Sequence, residues 1–250
     1  MKHNSLCLYA FCMFLLIAAS LNAQIPTNGL VAHYPFNGNA NDESGNVNHG
    51  TVNGPTLTTD RFGNTNKAYI FDGVDDYILV PDADMLDLTQ NLSFSCWIKA
   101  DTGGVILAKH IPGVDDDGSF YFVIHSDRRL LYSATPHWDP TSPRSDSLLW
   151  NQWEHAVFTY DINTQSWKYY LNGVLTNSGT NNYAILNTTH NLIIGKESAT
   201  SFNFPPFKGK IDDIRIYNRA LTPAEISVLY NEGLCEQNIT VTDTINKIII

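Results

Sequence analysis

The sequence predicts an all-β fold: a two-sheet sandwich closed by one short C-terminal helix. Three observations predict it. About a dozen short apolar or aromatic runs recur along the chain, separated by stretches rich in Gly, Asn, Asp and Pro. An Asn172-Gly173 pair joins two of these runs, the strongest short-range signal for a hairpin. One complete helix start occurs, close to the C-terminus. Thr222 fits the N-cap, Pro223 the first helical position and Glu225 the third. Leu221 and Ile226 are placed as the two ends of a hydrophobic staple, and Asn231 and Gly233 mark the stop.

Taken in order, Gly29 to Phe36 is the first strand, and Asn37 to Asn53 a polar loop dense in residues that tolerate tight backbone. Ala68 to Phe71 and Tyr77 to Val80 are short strands flanking Asp72-Gly73-Val74-Asp75-Asp76. Leu92 to Ala100 alternates most clearly, and Val105 to Lys109 follows a Gly103-Gly104 turn. A loop from Ile111 to Ser119 carries Asp115, Asp116 and Asp117. Phe120 to His125 and Leu130 to Ala134 then form a hairpin turning at Ser126 to Arg128. A long loop from Thr135 to Leu149 holds three prolines. Trp153 to Tyr160, Trp167 to Leu171, the run from Val174 and Leu192 to Gly195 complete the middle strands. Phe202 to Phe207 is an aromatic loop before the closing strand, Ile211 to Tyr217.

That closing strand has adjacent acids, Asp212 and Asp213, between its isoleucines. Carboxylates are poor strand formers and costly to bury, so they require a cation or several backbone donors.

Composition narrows the function. The chain has 250 residues and a net charge of −10, with only 16% charged residues. Arg128-Arg129 is its largest basic cluster, which argues against nucleic acid and anionic membranes as partners. Residues 1–23 read as a secretory signal peptide: Lys2 and His3 precede an apolar run that ends at Leu21-Asn22-Ala23. The expected location is therefore secreted or at the cell surface, with no membrane span after cleavage. Residues 24–233 form the domain, and 234–250 read as a linker or the start of a truncated C-terminal region. The mature chain keeps Cys96 and Cys235. Export permits a disulfide, but alternation with Phe94 and Ile98 makes Cys96 a buried thiol.

Several motifs together resemble the LamG-like (laminin G-like, concanavalin A-type) jelly-roll domains of secreted bacterial proteins. The closing signature is Gly209-Lys210-Ile211-Asp212-Asp213-Ile214-Arg215-Ile216-Tyr217-Asn218-Arg219-Ala220-Leu221-Thr222-Pro223-Ala224-Glu225-Ile226. Gly29-Leu30-Val31-Ala32-His33-Tyr34-Pro35-Phe36, Phe71-Asp72-Gly73-Val74-Asp75-Asp76-Tyr77-Ile78 and Phe94-Ser95-Cys96-Trp97-Ile98-Lys99 precede it in the family's order. The resemblance spans about residues 28–233 and implies a two-sheet jelly roll with its last strand beside its first. It does not fix a function, because such folds host many activities.

Calcium takes six to eight oxygen ligands. The Asp42–Gly50 loop offers Asp42 and Asn46, and the closing strand offers Asp212 and Asp213. If first and last strands are neighbours, one Ca2+ ion would offset the repulsion among these acids. The resemblance adds that relatives hold a structural calcium with an Asp at the place of Asp212 and a carbonyl near that of Gly50. The competing reading has the acids bonded to loop amides without metal. For a ligand, Trp138 with His137, Asp139 and Arg144 is the most sugar-like cluster, and Phe202, Phe204 and Phe207 form a second. Trp97, Trp150, Trp153 and Trp167 read as packing. Catalysis finds no support. A retaining glycosidase needs two carboxylates about 5 Å apart, and no acids stand at the required spacing on one strand face. The expectation is a non-catalytic recognition module for a glycan, with a structural calcium. The alternatives are a protein-adhesion module at the cell surface or an accessory domain of a secreted hydrolase.

Overall fold

The structure is a computed structural model and describes residues 24–110, 118–134, 143–183, 185–197 and 204–233. Strands β1 (Leu30–Tyr34), β2 (Thr51–Asn53), β3 (Thr56–Thr58), β4 (Ala68–Asp72) and β5 (Tyr77–Val80) come first. A 3-10 turn at Asp84–Leu86 leads to β6 (Leu92–Ala100), β7 (Gly104–His110), β8 (Gly118–Ile124) and β9 (Arg129–Ser133). Then follow β10 (Arg144–Ser147), β11 (Glu154–Asp161), β12 (Ser166–Leu171), β13 (Val174–Thr180), β14 (Leu192–Ile194), β15 (Lys208–Tyr217) and the helix α1 (Pro223–Tyr230).

These strands make two antiparallel sheets. One runs β13-β12-β11-β6-β15-β4-β3, with β1 also on β15; the other runs β10-β9-β8-β7-β14-β5-β2. Their facing sides bury a common aromatic core, in which Phe94 packs on Phe120, Phe122 and Tyr132, and Tyr132 stacks on Phe158 at 4.2 Å between ring centroids. The sequence placed most of these strands from their alternation. It read β2 and β10 as loop and assigned nothing to β3. They are short and rich in Thr, Asn and Ser, and they are strands because β5, β4 and β9 supply their backbone partners.

The helix forms as its signals require. Thr222 Oγ1 accepts from the Glu225 N–H at 3.3 Å, and the Glu225 carboxylate accepts from the Thr222 N–H at 2.8 Å, the reciprocal pairing of a capping box. Leu221 and Ile226 are buried with Leu229, Val157, Tyr170 and Tyr217. The helix therefore covers part of the outer face of the first sheet.

Strand β15 organises the molecule. One edge pairs with β6 from Gly209 to Tyr217. Its other edge is divided, with β4 along Lys208 to Ile211 and β1 along Ile214 to Tyr217. The first and last strands are thus neighbours. At the division the register slips: Asp212 faces Trp97 and Arg215 faces Ser95, so Asp213 and Ile214 together oppose Cys96. That is a β-bulge, with Asp213 at φ 53°. It puts Ile211, Ile214 and Ile216 in the core, and turns Asp212, Asp213 and Arg215 to the other side. Cys96 is buried behind the bulge with a free thiol, whose pKa burial pushes up.

Candidate functional site

Among the described residues, two features carry chemistry: an ion-pair clasp at the β15 bulge and an aromatic cleft walled by turns.

The clasp gathers residues from four parts of the chain. Arg61, from the turn between β3 and β4, donates to Asp212 at 2.9 Å and approaches Asp213 at 3.5 Å. Arg215 donates to Asp213 at 2.8 Å and pairs with Glu232 after the helix at 2.8 Å. His33 of β1 meets Asp213 through Nε2 at 2.9 Å. The Arg61 guanidinium lies over the Phe62 and Trp97 rings, 4.6 and 4.7 Å from their centroids, and Tyr230 of the helix stacks against Trp97. The environment separates the two acids. Burial, then the charge of Asp213, pushes the Asp212 carboxyl up to about 8 in spite of Arg61. Burial would raise Asp213 too, but Arg215, His33 and Arg61 outweigh it and hold this carboxyl well below the usual range.

Asp42 lies one residue away, across His33. Its Oδ1 accepts from the His33 and Ser44 N–H groups, both at 2.9 Å. Its Oδ2 accepts from the Asn48 N–H at 3.0 Å and the Ser44 hydroxyl at 2.9 Å. The Gly50 N–H donates to the Ala40 carbonyl at 2.9 Å. The carboxylates expected to hold calcium have other partners: loop donors for Asp42, and two guanidinium groups and an imidazole for Asp212 and Asp213. A dication shared by Asp42 and Asp212 would meet the positive charge of Arg61, so the residues present do not fit that ion. Chelation with EDTA is expected to leave Tm unchanged; a fall in Tm that added calcium reverses would contradict this, because an ion bound to the folded state alone must stabilise it. Among the described residues, Asp72, Asp75 and Asp76 also cluster, but Asp72 and Asp76 accept N–H groups of their own turn.

Titration offers a second check on the clasp. A group whose folded pKa is raised to about 8 carries stability that is lost as pH rises through that value. Asp212→Asn removes this titration while keeping an oxygen for Arg61. The variant's stability relative to the unaltered protein is expected to improve steadily from pH 5 to pH 8 and to level off above, as read by urea unfolding. A pH-independent difference would show that Asp212 titrates normally.

The cleft has a volume of about 670 Å³ and is lined by Asp101, Thr102, Gly103, Ile124, His125, Ser126, Trp150, Phe204 and Pro205. Three connections build it. The Asp101–Gly103 turn is tied to β15 by Asp101 N–H to the Lys208 carbonyl at 2.9 Å. The Phe204–Pro205 segment is pinned by the Val105 N–H to the Pro205 carbonyl at 3.1 Å. Trp150 is half-buried, and its turn is held by the Asn151 N–H to the Ala100 carbonyl at 2.8 Å. Gly103 and Gly104 are needed for this convergence. A side chain at Gly103 would lie 2.8 Å from the Ile124 carbonyl oxygen, and one at Gly104 would lie 2.8 Å from Phe207 Cα. Phe204 is packed edge-on to His125, with centroids 6.3 Å apart. The walls thus combine aromatic and aliphatic faces with a carboxylate, an imidazole and hydroxyl groups.

Of the predicted ligand residues, Trp138, His137 and Asp139 lie outside the described residues, as do Asp115 to Asp117, Phe202, Cys235 and the two chain ends. Arg144 does not line the cleft, but it adjoins the wall. Its Nη1 donates to the Asp127 carboxylate and to His125 Nδ1 at 3.2 Å. Burial alone would raise Asp127; the Arg144 guanidinium outweighs it and lowers its pKa. Trp150, read from the sequence as packing, forms a wall of the cleft. Its place in a turn just ahead of the alternating strand that begins near Trp153 was the available signal.

Residues 72–227 match the family model for Laminin_G_3, the concanavalin A-like lectin/glucanases superfamily. No curated protein matches the chain. Among solved structures, domain 4 of AbnA, a GH43 extracellular arabinanase from Geobacillus stearothermophilus, in complex with arabinotriose, is similar at 25% identity and a TM-score of 0.58; the match covers 80% of this chain and 98% of that one. The binding domain of Paraclostridial Mosquitocidal Protein 1 aligns at 18% identity and a TM-score of 0.63, over 83% of this chain and 53% of that one. Trypanosoma rangeli sialidase in complex with 2,3-difluorosialic acid aligns at 16% identity and a TM-score of 0.61, over 83% of this chain and 33% of that one. With its two antiparallel sheets, its capped C-terminal helix and the family model matched over residues 72–227, the chain belongs to the concanavalin A-like lectin/glucanase superfamily.

Proposed function

We propose that this domain is an exported, non-catalytic glycan-recognition module that binds sugar in the cleft between Trp150, Phe204 and His125. The observation that carries the reading is the composition of that cleft. Sugar rings present apolar C–H faces and a rim of hydroxyl groups, so a site for them needs flat apolar walls beside a few polar groups. Trp150, Phe204 and Pro205 supply the first, and Asp101, Thr102, His125 and Ser126 the second. The complex of the AbnA domain with arabinotriose supports a neutral oligosaccharide as the first ligand to test. The non-catalytic part rests on the acids. Asp212 and Asp213 are adjacent but bound to arginines, and Asp101 is the only carboxylate among the described residues lining the cleft, so these residues do not assemble the pair that glycoside hydrolysis requires.

Calorimetric titration of the purified domain with a panel of neutral and acidic oligosaccharides tests the reading, with release of reducing ends followed in parallel. Binding without turnover is expected. Turnover would make the domain an enzyme, and absence of binding to every glycan would remove the lectin reading and favour protein adhesion.

A further inference from the structure

His125 has an uneven environment. Its Nδ1 is approached by the Asp127 N–H at 3.3 Å and by Arg144 Nη1 at 3.2 Å. Neither group has a lone pair, so each can act only as a donor. The Ser126 hydroxyl, at 3.5 Å, can take either role. One acceptor, Asp127 Oδ1, also lies within 3.1 Å of Nδ1. That oxygen already takes the Arg129 N–H at 3.3 Å, and the other oxygen of the same carboxylate is bound to Arg144. A neutral imidazole offers one N–H and one lone pair. With the lone pair on Nδ1, both fixed donors are satisfied. With the proton on Nδ1, it would oppose a guanidinium N–H and a main-chain N–H at once. The ring is also held against Phe204, and it lines the cleft.

We infer that Arg144 and the Asp127 main chain fix His125 as the Nε2–H tautomer, making it a hydrogen-bond donor to a sugar hydroxyl in the cleft. This role rests on the glycan reading given above; the tautomer does not. Arg144 is then a positioning residue: it acts on the ligand through His125. The inference also gives Arg144 a role at the ligand site that acts through the imidazole.

Nitrogen-15 NMR of the imidazoles in the whole domain, in mildly alkaline buffer, tests the tautomer without any ligand. The expected spectrum shows His125 protonated at Nε2 and bare at Nδ1, with Arg144→Met moving the proton toward Nδ1, where Asp127 becomes its acceptor. Titration with arabinotriose then tests the donor. His125→Gln, whose amide N–H reaches the Nε2 position, is expected to bind within about threefold of the unaltered domain, whereas His125→Asn, which mimics the Nδ1 edge, is expected to lose about tenfold. A proton on Nδ1 in the unaltered domain would overturn the inference, and so would equal binding by the two variants. An Nε2–H spectrum with no oligosaccharide bound would overturn the donor role together with the glycan reading, leaving the tautomer assignment alone standing.

Discussion

Asp213→Asn is expected to destabilise the domain by about 3–5 kcal/mol, the range for breaking one side of a buried ion pair. The choice of Asn isolates the charge. Asp213 sits at φ 53°, a conformation that Asn tolerates as well as Asp and that Ala does not, so backbone strain is kept equal. What is lost is the counter-charge of Arg215, whose side chain is only 3% exposed and whose remaining acidic partner, Glu232, is 29% exposed. For a domain of this size the loss corresponds to a fall in Tm on the order of 10 °C. Adding Arg215→Met should recover part of it, because an apolar side chain of similar length in that place strands no charge. If the single variant unfolds within about 0.5 kcal/mol of the unaltered protein, near the range of an ordinary surface substitution, the clasp does not hold the seam between β1, β4 and β15.

Trp150→Ala is expected to weaken oligosaccharide binding by about 30-fold or more, the equivalent of about 2 kcal/mol for losing a central aromatic contact. The fold should survive it. Trp150 is half-buried at the edge of the main core and anchors no strand, and its turn is held by the Asn151 main chain. Unchanged far-ultraviolet circular dichroism together with lost binding would locate the contact in the cleft. Lost structure would reassign Trp150 to packing, its sequence-based reading. The less severe Trp150→Phe should retain part of the affinity, since a flat ring remains.

The two sites differed in how far the sequence revealed them. The helix was legible to the residue, because Thr222, Pro223 and Glu225 act through contacts three residues apart or fewer. The bulge was partly legible. Core residues at Ile211, Ile214 and Ile216 are separated by three and then two, and a strand that keeps all three inside must absorb one extra residue between the first two. The two acids in that gap were correctly read as needing counter-charge. A bridging calcium was expected; nothing in the sequence marked Arg61, a lone arginine in a turn about 150 residues away with no motif around it, which the structure places on Asp212. Local pattern carries no information about such pairings. The cleft was the least legible feature. Its walls come from four turns spread between Asp101 and Pro205, and turns have no periodicity that marks which residue faces a groove. The sequence pointed to Arg144 and Phe204 as ligand-like, and both are beside the cleft, one in its wall and one behind it. His125 was read as the end of a strand, whereas β8 stops at Ile124 and His125 opens the turn that follows; its second role depends on the Arg144 guanidinium.

Sugar binding at Trp150 can be followed through the indole N–H resonances of the domain while arabinotriose is added. The expected result is a saturable shift of the Trp150 signal, with those of Trp97 and Trp167, buried beneath the helix and in the core, unmoved. A titration that shifts no indole signal, or that shifts Trp97 while Trp150 stays in place, would contradict it.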